Sequence, residues 1–252
     1  MTNIILCGCG GRMGKAVAAA AQNGIEIVAG IDINAASLSA ALTFPVYESI
    51  SDFPGKADVI VDFSHHSSLP SLLEYAKATH TPLVVATTGH TEEELASMRE
   101  SADEVAIFHS GNFSIGINLL VNLAKQAART LGVDFDIEII EKHHNKKLDA
   151  PSGTALMIAN AVAEERSESE YVYDRHSIRR ARESREIGIH SVRGGTIVGE
   201  HEIIFAGNNE TVSISHSAAS REIFATGALR AAVYLSSKTT GLYNMSDLIE
   251  GR

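Results

Sequence analysis

Residues Thr2–Lys15, TNIILCGCGGRMGK, decide how the first half of this chain is read. An apolar run, Ile4–Cys7, passes into Gly8–Lys15 and then into a helix-like segment, Met13–Gln22. Glycines between a strand and a helix let the backbone turn tightly and approach a pyrophosphate, whose charge is met by N–H groups at the helix N-terminus. The strict G-x-G-x-x-G spacing fails from Gly8 and Gly10, because its last position is Met13. A looser G-x-x-G-x-x-G runs through Gly8, Gly11 and Gly14. Val28–Asp32 (VAGID) follows as the second strand and ends in Asp32, about 20 residues past the glycines, where an acid holds adenine-ribose hydroxyls. The stretch predicts a dinucleotide site.

Outward from that turn, apolar runs at Ile25–Ile31, Val59–Phe63, Leu83–Ala86 and Val105–Phe108 alternate with helical patterns such as Glu92–Glu100. The latter helix carries a capping box, Thr91 with Glu94 three residues on. Continuous apolar strands alternating with helices predict an α/β domain with a parallel sheet covered on both faces. Beyond Gly111–Ser114 the pattern changes. Ile115–Thr130 reads as an amphipathic helix and Asp136–Glu141 as an alternating strand. Thr196–Ala206 and Thr211–Ser217 read as a hairpin around Asn208 and Asn209. The second half is therefore expected to be an α+β domain with a mixed, largely antiparallel sheet. Glu164–Glu186 is densely charged; it reads as a solvated loop and helix edge, with a mobile flap over a ligand as the alternative.

The bulk numbers restrict the partners. The chain has 252 residues and a net charge of −10, against the basic footprint that nucleic acid or an anionic membrane would require. No apolar run approaches the roughly 18 residues of a membrane span. The N-terminus shows no signal-peptide pattern, and the two cysteines, Cys7 and Cys9, form neither a CxxC motif nor a disulfide framework. Buried reduced thiols in the cytosol are expected.

A second motif, Glu138–Ala155, reads EIIEKHHNKKLDAPSGTA and opens into a helix-like run. With GCGGRMG, Ala86–Gly89 (ATTG), Gly111–Asn118 (GNFSIGIN) and Val198–Gly207 (VGEHEIIFAG), it resembles the bacterial dihydrodipicolinate reductase family across essentially the whole chain. The resemblance implies reduction of 4-hydroxy-tetrahydrodipicolinate (dihydrodipicolinate) in diaminopimelate and lysine biosynthesis. The chemistry agrees with the residues. Hydride reduction of a conjugated imine leaves an enamine-like carbon to protonate, which suits a histidine. Two substrate carboxylates need N–H or cationic partners, which a helix start and Lys147 supply.

By the resemblance, His143 is the general acid, Lys147 its catalytic partner, and His144, Gly153 and Thr154 substrate contacts. Ser152 joins them as the residue before the helix. Glu138, Glu141 and Asp149 read as supporting residues, and Lys146 as solvent-facing. Gly8, Cys9, Gly10, Gly11, Arg12 and Met13 would bind the pyrophosphate. Ala86, Thr87 and Thr88 would line the nicotinamide side, and Ser110, Gly111, Asn112 and Phe113 would sit at the domain junction. Two departures stand out: Ala86 replaces a common glycine, and Ser110-Gly111 replaces a small-Pro or Ala-Ala pair. The resemblance also implies domains at 1–112, completed by 222–252, and 113–221, with a homotetramer built through the second sheet. Asp32, with no Lys or Arg in Ile33–Pro45 to meet a 2′-phosphate, predicts NADH preferred and NADPH as the lesser alternative.

Other readings compete. Gly8–Lys15 fails as a Walker loop at Cys9 and lacks a Ser or Thr after Lys15, and Tyr234-x-x-x-Lys238 falls too near the C-terminus for a short-chain dehydrogenase. His201-Glu202 does not continue as HExxH, so no metal is expected. A non-catalytic NADH sensor would keep the glycine turn but has no use for His143, Lys147 and the Ser-Gly-Thr segment together. A dehydrogenase of another small dicarboxylate is separated only by substrate.

Overall fold

A computed structural model describes residues 1–22 and 24–251. Arg252, the last residue of the segment expected to complete the first domain, lies outside them. The chain divides into two compact units, Met1–Ile115 with Arg221–Arg252, and Gly116–Ser220.

The first unit carries a seven-stranded, all-parallel sheet. Its strands are β1 (Thr2–Cys7), β2 (Ile25–Ile31), β3 (Val46–Tyr47), β4 (Val59–Asp62), β5 (Leu83–Val85), β6 (Ala106–His109) and, from the far end of the chain, β12 (Gly241–Tyr243). The order β3-β2-β1-β4-β5-β6-β12 reverses direction of growth between β1 and β4. In open α/β sheets the ligand crevice lies outside the carboxyl ends of the strands at that switch. The residues after β1 and β4, the glycine turn and Phe63–His65, are therefore the ones that face it. The strands read as unbroken apolar runs because both faces are covered, as the buried triad Leu83–Val85 illustrates. One face packs on α1 (Arg12–Ala20) and α7 (Glu222–Leu235), the other on α3 (Leu69–Thr79) and α4 (Glu92–Ser101). The capping box on α4 forms: Thr91 N–H donates to Glu94 at 2.8 Å and Glu94 N–H to the Thr91 hydroxyl at 3.2 Å. A short α2 (Ala35–Leu38) follows β2, and α8 (Met245–Glu250) ends the described chain.

The second unit is a five-stranded mixed sheet, β11-β10-β7-β9-β8, with α5 (Ile115–Leu131) and α6 (Gly153–Ala163) on one face. Its strands are β7 (Asp136–His143), β8 (Glu170–Val172), β9 (Glu186–Arg193), β10 (Gly199–Ala206) and β11 (Thr211–Ala218). The expected hairpin is β10–β11, with β10 beginning at Gly199 rather than Thr196. The sheet is mixed as expected, but β9 and β8 add two parallel pairings to the two antiparallel ones. The charged segment before β9 is fastened down by its arginines. Arg182 bonds Asp136, Glu138 and three backbone carbonyls, while Arg175 and Arg180 hold the buried Glu186. Among the described residues no helix is long and apolar enough to cross a membrane.

Candidate active site

In the first unit, a cavity of about 580 Å³ opens at the switch point, between Gly8, Gly10 and Gly11 on one side and Phe63, Ser64 and His65 on the other. Gly8 has φ +72°, and a Cβ there would lie 2.5 Å from the Phe63 carbonyl oxygen, so only glycine allows the two strand ends to meet this closely. A Cβ at Gly14 would fall 2.2 Å from the Gly8 carbonyl oxygen; its absence lets α1 start directly against the turn. Gly11 caps α1 without a side-chain bond and the first turn holds no acid, leaving its amides for an anion. Asp32 closes the other end. Its carboxylate accepts from Gly10 N–H at 3.0 Å and from Asn34 N–H at 3.0 Å, and it lines the cavity. These residues fit a dinucleotide: a pyrophosphate on the turn and a ribose at the acid.

A smaller adjoining cavity of about 240 Å³ is lined by Met13, His65, His66, Ala86, Thr87 and Thr88, and shares Phe63, Ser64 and His65 with the larger one. Beneath it Thr87 donates to the fully buried Asp62 at 2.7 Å, as does Ser64. Burial pushes the Asp62 carboxyl up, against the hydrogen bonds from Ser64 and Thr87 that favour its charge.

In the second unit, the alternation of β7 puts Ile137, Ile139 and Glu141 on the buried face, with His143 next in the same phase. Glu141 is 0% exposed, a charge where the pattern calls for an apolar residue. Its partners explain that. Arg193, the register neighbour of His143 on β9, grips both carboxylate oxygens at 2.7 and 2.8 Å. His143 Nδ1 meets Glu141 Oε2 at 2.6 Å, and Ser152 N–H donates to Oε1 at 3.1 Å. Burial works to raise the Glu141 carboxyl, but the bonds from Arg193, His143 and Ser191 hold its pKa at about 2. His201, paired with Glu141 across β10, packs edge-on to His143 with ring centroids 5.3 Å apart. Desolvation, then the nearby His143, depress its pKa to about 4, so its ring is neutral near pH 7.

The loop after β7 carries the remaining groups. Lys147 N–H donates to the His144 carbonyl, and its ammonium meets Asp149 at 2.9 Å. Gly153 is exposed and Thr154 half-buried at the start of α6. Lys146 is exposed.

Several residues sit differently from expectation. Ser152 is 2% exposed; its hydroxyl caps α6 through Ala155 N–H at 3.1 Å and bonds His201 Nε2 at 3.1 Å. Its side chain serves as the cap of α6. Cys9 is fully buried, with its thiol against Gly30 and its pKa raised to about 11 by burial and then by Asp32; only its backbone borders the turn. Arg12 is exposed at the start of α1. Ser110, Gly111, Asn112 and Phe113 line neither cavity. Ser110 and Asn112 bond each other, Asn112 caps Ser114 N–H at 2.8 Å, and Phe113 is 3% exposed beneath α7. The sequence reading missed Phe63–His65, Arg193 and His201. The first follow from the strand order; the others only from register.

Comparison with known proteins agrees with both halves. Family models described as "Dihydrodipicolinate reductase, N-terminus" and "Dihydrodipicolinate reductase, C-terminus" match residues 2–113 and 116–249. The chain belongs to the dihydrodipicolinate reductase family. It is 51% identical to a 4-hydroxy-tetrahydrodipicolinate reductase of Caldanaerobacter subterraneus subsp. tengcongensis, covering 99% of each chain. It is 46% identical to that of Clostridium novyi over 100% of both. Among solved structures, a dipicolinate-bound dihydrodipicolinate reductase from Paenisporosarcina sp. TG-14 superposes with a TM-score of 0.80 at 26% identity, covering 97% of each chain.

Proposed function

We propose that this protein reduces 4-hydroxy-tetrahydrodipicolinate (dihydrodipicolinate) to tetrahydrodipicolinate in diaminopimelate and lysine biosynthesis. The observation that carries the reading is the pairing of His143 with the ionised Glu141 at the end of β7, from which a loop leads to the start of α6, in a member of this reductase family.

A bound nicotinamide dinucleotide supplies the hydride. Gly8, Gly10, Gly11 and Asp32 would hold its phosphates and ribose, and Met13 with Ala86–Thr88 would shape the space beside them. On the second unit, Gly153 N–H and Thr154 at the start of α6 take one substrate carboxylate. Lys147 exchanges Asp149 for the substrate and offsets the negative charge that develops there. His144 adds a further contact. Loss of water from the 4-hydroxy compound gives dihydrodipicolinate, the conjugated imine; hydride addition to it would move an electron pair to the neighbouring ring carbon, and His143 would give that carbon a proton and be recharged from solvent. Asp32 disfavours a 2′-phosphate, so NADH is the preferred cofactor and NADPH the lesser one. The family resemblance supports a cytoplasmic homotetramer assembled through the five-stranded sheet.

The test supplies the condensation product of pyruvate and aspartate semialdehyde with NADH and follows loss of NADH absorbance. Wild type turns over, and His143→Ala loses roughly 10²–10⁴-fold in kcat, the range for a general acid. Unchanged kcat in His143→Ala would remove His143 from the mechanism.

A further inference from the structure

We propose that Glu141 is the positioning residue of the reaction: it fixes the tautomer of His143 and ties that ring to the anion-binding start of α6. This rests on His143 being the proton donor.

The argument is geometric. Every position around the Glu141 carboxylate is filled by a donor. Oε1 takes Arg193 Nη2 at 2.7 Å and Ser152 N–H at 3.1 Å, and Oε2 takes Arg193 Nη1 at 2.8 Å. An ionised carboxylate only accepts, so the 2.6 Å contact from His143 Nδ1 to Oε2 requires the proton on Nδ1. Nε2 is thereby left as the nitrogen that gains and loses the transferable proton. Nε2 faces Gly199, where an added Cβ would approach it to 3.1 Å; the glycine keeps that side of the ring clear. Arg193 matters because an uncompensated carboxylate would hold the imidazolium too firmly to be a good acid. With the guanidinium bound to both oxygens, Glu141 orients the ring while its charge is largely offset. Oε1 meanwhile anchors Ser152, whose hydroxyl caps α6, so one side chain registers the donor against the carboxylate site.

The charged and titratable groups around this pair are Arg193 from β9, His201 from β10 and Lys147 from the following loop. His201 stays neutral across the working range and does not compete for the proton.

Glu141→Gln is the discriminating variant. Its amide oxygen serves Ser152 N–H and Arg193, which can only donate, and its NH₂ therefore turns to His143, which together with the Ser191 hydroxyl is able to accept. Nδ1 must then lose its proton, and the imidazolium is disfavoured. The expected result is a kcat loss of about 10²-fold or more, with the limb of the pH–kcat profile belonging to the donor displaced to lower pH. The Kd for NADH stays unchanged. Placed in a His143→Ala background, Glu141→Gln costs nothing further, because it acts through the ring that is gone.

A merely structural Glu141 would lower the amplitude without moving the limb, or multiply with His143→Ala; either result overturns the proposal. If His143→Ala is crippled while Glu141→Gln keeps wild-type kcat and limb, the positioning role fails and the donor assignment stands. If His143→Ala is itself fully active, the donor assignment fails first. Should Glu141→Gln not fold, ¹⁵N spectra of labelled histidines in the wild type decide. In its neutral form His143 must show a protonated Nδ1 and a bare Nε2, and the reverse tautomer overturns the proposal.

Discussion

Two side chains set the chemistry at the scale of single residues. Asp32 accepts from Asn34 on one oxygen and from Gly10 N–H on the other, which keeps a lone pair for a ribose hydroxyl. An incoming 2′-phosphate would meet this carboxylate with no arginine or lysine in Ile33–Pro45 to offset it. Asp32→Asn removes the repulsion, so the NADPH/NADH ratio of kcat/KM should rise by about tenfold, equivalent to ~1.4 kcal/mol. Equal ratios in wild type and variant would contradict it. His201 makes a pH prediction. The unfolded chain binds a proton near the usual histidine pKa of 6.5, which the folded site refuses until about pH 4. Its contribution to stability is therefore complete above pH 6.5 and is lost as pH falls through that window, on the order of 3 kcal/mol in all. Burial sets this first; His143, His216 and Lys147 around the ring add to it, and Glu141 opposes it. Urea midpoints from pH 7.5 to 4 should decline less for His201→Asn than for wild type; parallel declines would count against it. His143 and Lys147 were legible in the sequence because the motif is contiguous. Arg193 and His201 were not, since 52 residues and a strand register separate Arg193 from Glu141.

Among elements, the glycine turn and α1 are readable because the chemistry that makes them is local: an apolar strand, glycines where backbone meets backbone, and a helix start. The capping box of α4 is local in the same way, and it forms as written. The short edge strands β3 and β8 are not, because two or three residues carry no period and their pairing partners define them. Helix α7 shows how a remote contact can hide in an ordinary sequence. A Cβ at Gly227 would lie 1.7 Å from the Phe113 carbonyl oxygen, so this glycine sets how closely α7 approaches the loop after β6. Gly227→Ala should force the helix away and destabilise the first unit by about 1–3 kcal/mol, despite the gain in helix propensity. Thermal or urea unfolding checks the sign: a stabilised variant would mean that the approach is not tight.

For the whole molecule, the parallel sheet and its covered faces follow from alternation of apolar runs and helices, and so does the change of pattern after Phe113. The return of Gly241–Tyr243 to pair with β6 could come only from the family resemblance, because the segment follows an entire second unit in the chain. The second sheet is mixed as expected, and its parallel pairings were hidden for a physical reason. The charged run preceding β9 hid the short strand β8, whose Glu170 pairs with Arg185. The central step of the proposed reaction is hydride transfer to the substrate ring. The direct measurement supplies the condensation product with [4,4-²H₂]NADH and weighs the tetrahydrodipicolinate formed. One carbon-bound deuterium per product molecule is the predicted result; product carrying none would contradict the account.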